Sequence, residues 1–406
     1  LPEVGISKNK APKKITKLKQ GKFRKWGKYM KACLEFFKKE TVLCCAAVLA
    51  LASMAFVPPD AVYLSYPDYR TLALLFCLMA VVGGFQSIGV FTLLGQKLLA
   101  GAGNVRRLSS VLVFLCFFSS MIITNDVALI TFVPFTILVF RMTGKEKNLL
   151  KITVLETIAA NLGSMATPVG NPQNLYLYSS SGISMSEFLG AVLPYTVLAA
   201  ALLCAVLFFE KKERIRVEVS MGALNLPVKI FFRRLGLYLG LLILCFLVVC
   251  RVLPYLPVLG VVAAAVYLCE RKILKEIDYM LLLTFLCFFV FIGNVKRIDQ
   301  VSSLLMSMIQ GRELLTGILV SQIISNVPAA ILLSGFTEQI VPLLTAVNLG
   351  GLGTLIASLA SLITYKFYTR EFAQQKGEFL KVFTKWNVIF LAALAAAAFL
   401  IGLMAG

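Results

Sequence analysis

The chain has 406 residues, of which 59% are apolar and only 15% are charged. Soluble proteins carry charge on roughly a quarter of their residues, and several apolar runs here reach the ~20 residues that cross a bilayer as a helix. The composition therefore excludes an ordinary soluble domain and predicts an all-α polytopic membrane protein. The net charge of +20 lies mostly in short loops, which is the pattern of cytoplasmic retention during insertion and not that of a nucleic-acid-binding protein.

The sequence shows no motif of a known catalytic chemistry. It contains no histidine, which excludes His general bases, His-based metal sites and His-activated nucleophiles. Its ten cysteines include no C-x-x-C pair, and most lie in apolar segments, where cysteine is usually a small core residue. No G-x-S-x-G, H-E-x-x-H or P-loop motif occurs. We therefore expect a protein that is not an enzyme and that needs no cofactor.

Residues 1–40 form a basic arm that carries thirteen of the forty Lys and Arg residues. The aromatic and apolar residues between Phe23 and Phe37 keep helical spacing among the lysines. This spacing favours a helix on the anionic surface of the cytoplasmic leaflet, in contact with the lipid bilayer. A disordered tail that acts only as an orientation signal is the equal alternative.

The first two spans are predicted at 41–57 and 71–94. The next apolar stretch, 108–140, has 33 residues and a single charge, Asp126. As one helix it would be about 50 Å long against a bilayer core of ~30 Å, and both of its flanks are basic. We therefore predict a re-entrant helical hairpin with Thr124-Asn125-Asp126 at its tip.

The remaining elements follow the same logic along the chain. A span at 149–178 is broken within 161–174, a span at 188–209 follows, and the basic loop 210–234 links two halves. The second half is predicted to contain spans at 235–250, 257–269 and 279–295, a hairpin at 314–341, a broken span at 343–366 and a last helix at 385–405. The predicted domains are thus the arm 1–40, a first repeat 41–209, the linker 210–234, and a second repeat 235–406 with one extra span.

The two halves match in sequence as well as in apolarity. Cys77–Leu99 aligns with Cys287–Ile309, Asn125 with Asn326, and Asn161 with Asn348. Because one extra crossing separates the repeats, their topologies are inverted, which gives about nine full spans and two hairpins. With the N-terminus inside and the C-terminus outside, 35 basic residues lie inside and 5 outside, as the positive-inside rule requires.

Both broken spans are candidate binding sites. Two Gly and two Pro between Asn161 and Asn174 make a continuous helix improbable, and an opened chain offers carbonyls to a cation and N–H groups to an anion. A kinked helix with small residues for close packing is the alternative, but a matched break in each half favours a transporter site. The candidate substrate- or ion-binding residues are Thr124, Asn125, Asp126, Asn161, Gly163, Thr167, Pro168, Gly170, Asn171 and Asn174 in the first half, and Ser325, Asn326, Val327, Asn348, Gly350, Gly351, Thr354 and Ser358 in the second.

Two carboxylates are candidates for coupling transport to an ion gradient. An ionisable group inside a bilayer costs at least ~2.5–3.5 kcal/mol, so Asp126 is a functional candidate as a proton carrier or cation ligand. Its alternative role is to cap the second helix of the hairpin. Glu156 is the second candidate, and its alternative is a position near the inner boundary from which it snorkels to water.

These motifs resemble those of the ion transporter superfamily of inverted-repeat permeases, which includes divalent anion:sodium symporters, citrate transporters and arsenite permeases. The segments 124–129, 161–174 and 321–328 look especially like those of bacterial inner-membrane permeases of the YbiR type. The resemblance covers residues 41–406. Asp126 and Val327 stand where the dicarboxylate branch has Thr, and the Asp-bearing tip is similar to that of the arsenite permeases.

The resemblance implies a small anionic solute bound between the hairpin tips and the broken helices. It also implies an elevator motion, commonly in a homodimer, with Na⁺ or H⁺ as the coupling ion. The predicted function is a secondary active transporter of a carboxylate or oxyanion in the bacterial inner membrane. Arsenite or metalloid efflux and cation/proton antiport remain open. The residues implied for sodium are Asn125, Asn161, Gly163, Asn326 and Asn348.

Overall fold

The computed structural model describes Lys31 and residues 35–37, 40–99, 102–215 and 227–405. This part of the chain is built from α-helices, and its only β feature is an isolated antiparallel bridge between Asn104 and Arg214. The predicted arm 1–40 falls almost entirely outside the described residues, as does much of the predicted linker.

The first half of the chain forms a helical hairpin followed by a broken helix, with spanning helices on either side. Its helices are α1 (Thr41–Met54), α2 (Tyr69–Ser87), α3 (Val90–Leu99), α4 (Val105–Ile123), α5 (Asn125–Met142), α6 (Glu146–Ser164), α7 (Pro172–Ser181) and α8 (Met185–Phe208).

The second half repeats this order after one additional helix. Its helices are α9 (Val228–Val249), α10 (Tyr255–Cys269), the short α11 (Ile273–Glu276), α12 (Tyr279–Lys296), α13 (Asp299–Ile309), α14 (Glu313–Ile324), α15 (Asn326–Ser334), α16 (Ile340–Leu349), α17 (Leu359–Glu371) and α18 (Lys376–Ala405).

The described helices have the lengths that the predicted membrane topology requires. Seven are long and apolar enough to cross a membrane, and two of these, α4 and α5, are the arms of the first hairpin. The shorter apolar helices α1 and α10 and the two broken pairs, α6–α7 and α16–α17, complete the nine predicted spans. The all-α polytopic fold with two hairpins and two broken helices is therefore confirmed.

Several boundaries differ from the sequence-based prediction. The span predicted at 71–94 is two helices, because Gly89 adopts a positive φ of 75° that ends α2 and turns the chain into α3. In the second half the chain also turns between α12 and α13, at Arg297 and Ile298, but neither residue has a positive φ. The second hairpin ends at Ser334 and not at 341, and the last helix begins at Lys376 and not at 385.

Helices of one repeat pack against the matching neighbours in the other. Helix α1 packs on α12 as α10 packs on α2, and α5 packs on α17 as α15 packs on α7. This exchange is what a pseudo-two-fold axis between inverted repeats produces. The packing also separates two groups of helices, which we call the hairpin bundle (α4–α8 and α14–α18) and the flanking helices (α1, α2, α9, α10 and α12).

Ion pairs distinguish the two ends of the molecule. One end, which we call the basic face, carries the α5–α6 turn and the segment after α8. It holds the described pairs Arg141–Glu371, Lys145–Glu213, Lys151–Glu210 and Arg234–Glu270.

The other end, the opposite face, holds a pair between Arg297 and Asp60 at 2.8 Å. The guanidinium of Arg297 keeps the pKa of Asp60 below its ordinary value, and Lys145 does the same for the pKa of Glu213 on the basic face. Both carboxylates are therefore charged at neutral pH.

Candidate functional site

The tips of the two hairpins share an unusual backbone conformation. Thr124 has φ 65° and Ser325 has φ 75°, although neither residue is glycine. A non-glycine residue held in this region costs of order 1–3 kcal/mol, and such strain clusters at functional sites. The next residue, Asn125 or Asn326, begins the second arm of its hairpin.

Each tip is fixed to the break of its own repeat by a matching hydrogen bond. The backbone N–H of Asn125 donates to the carbonyl of Gly170 at 3.1 Å, and that of Asn326 donates to the carbonyl of Ala357 at 2.9 Å. Gly170 and Ala357 occupy equivalent places, 187 positions apart, in the two broken helices. The two halves therefore hold their tips in the same way.

The two predicted threonines join the breaks to the first arms of the hairpins. Thr167 Oγ1 donates to the carbonyl of Met121 at 2.5 Å, and Thr354 Oγ1 donates to that of Gln322 at 3.1 Å. Since 121 and 322 are also equivalent positions, this tie too is duplicated. The hydroxyl hydrogens of both threonines are directed to the backbone and not to a cavity.

Buried amides connect the two breaks to each other. Asn161 Oδ1 accepts hydrogen bonds from Asn125 Nδ2 and from Ser358 Oγ, both at 3.0 Å. Across the pseudo-two-fold, Asn348 Oδ1 accepts from Asn171 Nδ2 at 3.1 Å. Asn171 and Ser358 are equivalent residues, so each half reaches the Asn that precedes the break of the other half. The side chains of Asn125, Asn161, Asn171, Asn348 and Ser358 thus form one buried polar cluster.

The first break is held open by Asn174 and by two close backbone contacts. Asn174 Nδ2 donates to the carbonyls of Met165 and Thr167, both at 3.1 Å, while its backbone N–H is accepted by the cap residue Asn171. Pro168 lies within this loop, where it needs no helical N–H partner. The carbonyls that the break exposes are therefore used largely within the protein.

Glycines in the breaks serve close packing. A Cβ on Gly163 would lie 2.1 Å from the carbonyl oxygen of Phe117, and one on Gly170 would lie 2.1 Å from that of Ser164. In the second half, a Cβ on Gly350 or Gly351 would come within 2.8 Å of a side-chain atom of Ser321 or Asn326. Close packing, which was the alternative role for these glycines, is therefore observed at all four positions.

A cavity of about 590 Å³ reaches this cluster from the basic face. We call it the basic-face cavity. It lies between the first hairpin and the flanking helices, and the predicted residues that line it are Thr124, Asp126 and Asn171. Its mouth carries Glu276, Asp278 and Lys275, together with Glu40. Among the described lining residues, acidic side chains therefore outnumber basic ones.

Asp126 is partly buried on the wall of this cavity. Its backbone N–H is accepted by Asn125 Oδ1 at 3.0 Å. No described group donates a hydrogen bond to its carboxylate or pairs with it, so the capping bond that was its alternative role is not seen. A carboxylate without a fixed partner on the wall of such a cavity can take up a proton or a cation.

The second tip does not reach the basic-face cavity. Ser325, Asn326 and Val327 are all buried, and α15 packs on the flanking helix α12. The structure therefore brings both predicted half-sites together, and the basic-face cavity reaches only the first of them.

Glu156 lies elsewhere in the hairpin bundle. It is 0% exposed, which excludes the snorkelling alternative, and its Oε1 accepts a hydrogen bond from Thr136 Oγ1 at 2.5 Å. Its Oε2 has no partner among the described residues. Glu156 does not line the basic-face cavity, so it is not in contact with Asp126 or with a solute held there.

Two glutamines near the breaks were not among the predicted residues. Gln322 Nε2 donates to the carbonyls of Gly350 and Leu352, and its Oε1 accepts from the N–H of Thr354. Gln173 is 2% exposed, and its Oε1 has no partner within the described chain. The signal for Gln322 was present in the sequence, as a polar residue inside an otherwise apolar hairpin arm.

Comparison with known proteins gives a consistent result. The profile of the citrate transporter family matches residues 32–341. The chain is 33% identical over 300 residues to the uncharacterized transporter MJ0456 of Methanocaldococcus jannaschii, covering 74% of this chain and 81% of that protein. It is 32% identical over 305 residues to the inner membrane protein YbiR of Escherichia coli, covering 74% and 80%.

Two further matches bear on function and fold. A shorter stretch of 129 residues is 35% identical to the silicon efflux transporter LSI3 of Oryza sativa subsp. japonica, covering 31% of this chain and 26% of that protein. The crystal structure of the YdaH transporter of Alcanivorax borkumensis is similar in fold, with a TM-score of 0.55 at 12% identity, covering 83% of this chain and 86% of that one.

Proposed function

The chain belongs to the citrate transporter family of membrane transporters, and we propose that it is a secondary active transporter of a small carboxylate or oxyanion. The observation that carries the proposal is the duplicated junction of hairpin tip and broken helix, one copy of which faces a cavity. Such matched breaks mark the substrate site in inverted-repeat transporters.

The chemistry around the first tip suits an oxygen-rich solute. The N-terminus of α7, capped by Asn171, faces the cavity and presents the positive end of its helix dipole. Thr124 and Asn171 add neutral hydrogen-bonding groups. An anion held there would lie beside Asp126 and would be repelled by it unless that carboxylate were protonated or neutralised by a cation.

We therefore propose that Asp126 couples anion transport to the uptake of a proton or of sodium. The five residues implied for sodium offer fewer free oxygen ligands than the sequence suggested. Asn161 Oδ1 already accepts two hydrogen bonds, and the side-chain amides of Asn125 and Asn348 are also hydrogen-bonded within the protein. Asp126 retains an unengaged carboxylate, so proton coupling at Asp126 is the simpler version of the proposal.

Alternating access in this proposal is a movement of the hairpin bundle along the flanking helices. The basic-face cavity lies between these two groups, while on the other side α15 is closed against α12. With the basic face in the cytoplasm, as the positive-inside rule predicts, this conformation is open to the inside. A homodimer would form through the flanking helices in the bacterial inner membrane.

The test begins with the substrate. The purified protein would be screened for thermal stabilisation by citrate, succinate, sulfate, phosphate and arsenite at two pH values, with and without sodium. Each stabilising solute would then be followed into proteoliposomes that carry either a proton or a sodium gradient. We expect gradient-driven accumulation of at least one anion. Flux that equilibrates without responding to either gradient would indicate a passive pore.

A second candidate function is efflux of an uncharged metalloid hydroxide such as arsenous acid. It is favoured by the carboxylates Asp126, Glu276 and Asp278 along the basic-face cavity, which disfavour a multiply charged anion. The stretch that resembles a silicon efflux transporter agrees with it. Arsenite counterflow in inverted vesicles, by a protein that shows no gradient-driven uptake of the tested anions, would favour this function over the first.

A further inference from the structure

A second cavity, of about 500 Å³, lies at the other end of the boundary between the hairpin bundle and the flanking helices. We call it the opposite-face cavity. It is bounded by α12, by the segment 65–68 before α2, and by the C-terminal half of α7. It does not reach either hairpin tip, and the site proposed above does not include it.

The flanking walls of the two cavities are built from equivalent positions. Residues 65–68 line the opposite-face cavity and residues 275–278 line the basic-face cavity, and these segments are 210 positions apart. The same spacing relates positions 289, 292, 293 and 296 of α12 to positions 79, 82, 83 and 86 of α2. The flanking walls of the two cavities are therefore equivalent across the pseudo-two-fold, whereas the walls that the hairpin bundle contributes differ.

The chemistry of the two walls differs at matched positions. Lys296 of the opposite-face cavity stands where the basic-face cavity has Gln86, while Ser65 stands at the position of Lys275. Glu276 on the basic face is matched by Tyr66. These differences make the opposite-face cavity less acidic than the basic-face cavity and give it an ammonium group on α12.

Asp68 and Lys296 are the charged residues that line the opposite-face cavity. Asp68 accepts the backbone N–H of Thr71 at 3.1 Å and its hydroxyl at 2.6 Å, so its charge faces the N-terminus of α2. Lys296 is exposed and pairs with no described carboxylate. The neighbouring Arg297 is already engaged with Asp60 at 2.8 Å. The available charge of this cavity is therefore the ammonium of Lys296.

The remaining wall supplies hydroxyl groups. Ser179 Oγ is shielded from solvent and has no hydrogen-bond partner among the described residues. Tyr176 OH and Ser334 Oγ are 3.1 Å apart, and this pair joins α7 to the second hairpin. These hydroxyls make the wall polar, and the ammonium group of Lys296 beside it is the group that attracts a small oxyanion or carboxylate.

We propose that the opposite-face cavity is an access site that concentrates anions before transport, with Lys296 as its charged residue. The inference rests on the proposed function only in identifying the attracted anion with the transported one. An available charge on a concave wall raises the local concentration of counter-ions. The acidic lining of the basic-face cavity has the reverse effect, so we expect anions to be concentrated at the opposite-face cavity relative to the basic-face cavity.

The local potential can be measured without knowing the substrate. Ser180 lines the cavity and is exposed, so a cysteine introduced by Ser180→Cys in a cysteine-free background reports on it. Its rates of reaction with an anionic and a cationic methanethiosulfonate reagent would be compared. We expect Lys296→Gln to lower the anionic-to-cationic rate ratio by at least about threefold, and Lys296→Arg to preserve it.

Two controls separate the charge of Lys296 from general effects. Arg312→Gln removes a cation from the same face but not from this cavity, and Gln86→Lys adds one at the matched position of the other cavity. Both should leave the ratio at position 180 unchanged. An equal ratio in Lys296→Gln and the parent protein would overturn the inference.

A second measurement links this cavity to anion binding. Citrate and inorganic phosphate would be tested for slowing the reaction at position 180. We expect the better ligand to protect the parent protein at a concentration at least about threefold lower than that needed for Lys296→Gln. Equal protection in both would contradict the role of Lys296. A protein that shows the charge-dependent ratio but transports no solute would refute the proposed function and leave the anion-attracting cavity in place.

Discussion

At the scale of single residues, Asp126 is the group on which the proposed ion coupling depends. It lies on the wall of the basic-face cavity, and no described residue neutralises it. The equivalent residue of the other tip is Val327, which is buried and cannot titrate. In the proposed mechanism, coupling through the tips is therefore limited to one carboxylate in each molecule.

We predict that Asp126→Asn abolishes gradient-driven transport while the protein still inserts and folds. The amide keeps the size and the hydrogen-bonding capacity of the side chain but can neither take up a proton nor neutralise a cation. Flux in proteoliposomes should fall to the level of protein-free liposomes. Glu338→Gln, an exposed carboxylate in the turn before α16, is the control and should transport normally. Full gradient-driven uptake by Asp126→Asn would remove Asp126 from the mechanism.

We predict that Asn348→Ala destabilises the protein substantially. The truncation leaves Asn174 Oδ1 without its donor and removes one of the two hydrogen bonds of Asn171 Nδ2, which keeps Ser164 Oγ as an acceptor. A buried group left unsatisfied costs about 1–3 kcal/mol. The matched control is Asn387→Ala, because Asn387 is also buried in the hairpin bundle but donates only to the carbonyl of Phe383 on its own helix. Thermal unfolding in detergent should show a Tm lowered by several degrees for the first variant and little changed for the second.

The pair between Asp60 and Arg297 predicts a pH dependence of stability. The pKa of Asp60 is lowered chiefly by its hydrogen bond from Arg297, so its stabilising effect is present above the ordinary pKa of 3.8 and is lost as the pH falls through the lowered value. Asp60→Asn should therefore have a slightly lower Tm than the parent at pH 7, and this difference should shrink as the pH is lowered below about 4. A difference that is independent of pH would contradict the charge pairing.

The sequence predicted most of the residues in the polar cluster but not how they are used. Asn125, Asn161 and Asn348 were identified because equivalent residues recur at fixed spacing within apolar segments. Their hydrogen bonds to each other could not be derived, because the sequence does not give the distance between two breaks that lie 187 positions apart. The strain at Thr124 was equally inaccessible, since neither Thr nor Ser is a residue type that favours positive φ.

At the scale of secondary-structure elements, the hairpins and broken helices depend on close approach between helices. Helix α4 packs along α6 throughout most of its length. Gly163 allows this approach, because it places no side chain against the carbonyl of Phe117. The break that follows is therefore positioned by packing as well as by its prolines.

We predict that Gly163→Ala disrupts the first hairpin. The new Cβ would lie 2.1 Å from the carbonyl oxygen of Phe117, and relieving that overlap by moving a helix costs at least about 1–3 kcal/mol. Gly190→Ala, in α8, meets no atom within 4 Å and should be neutral or stabilise by up to about 1 kcal/mol. Thermal unfolding of the two variants checks the difference. Equal Tm values would show that the α4–α6 contact is looser than described.

The sequence predicted the hairpins better than it predicted the helix ends. The basic flanks and the excessive length of 108–140 were sufficient to infer a hairpin, because both follow from the thickness of a bilayer. The turn at Gly89 was missed because the apolar character continues through it into α3. A single glycine at positive φ leaves no signal in composition, and the corresponding turn before α13 contains no glycine.

At the scale of the whole molecule, the protein consists of two groups of helices that pack around a pseudo-two-fold axis. The hairpin bundle carries the polar cluster, and the flanking helices carry the mouths of both cavities. On the opposite face, Arg251 of the α9–α10 turn donates to the carbonyls of Tyr178 and Gly182 at 3.0 Å. This contact holds α7 against the flanking helices in the present conformation.

The inverted arrangement was predictable because one extra crossing between the repeats reverses the second. The inequality of the two half-sites was predictable only in part. The sequence showed that the second break lacks both prolines, but it did not show that its tip is closed off by α12. That difference belongs to the conformation described, and the proposed alternating access requires a second conformation that exposes the second tip.

The two hairpins are proposed to enter the membrane from opposite faces, so that their tips meet at one site. The measurement that tests this arrangement labels single cysteines at exposed positions beside the outer ends of the hairpins, introduced as Lys147→Cys in the first turn of α6 and Glu338→Cys in the turn before α16. A membrane-impermeant reagent would be applied separately to right-side-out and inverted vesicles. We expect position 147 to react from the basic face and position 338 from the opposite face, whereas reaction of both positions from one common face would contradict the inverted arrangement.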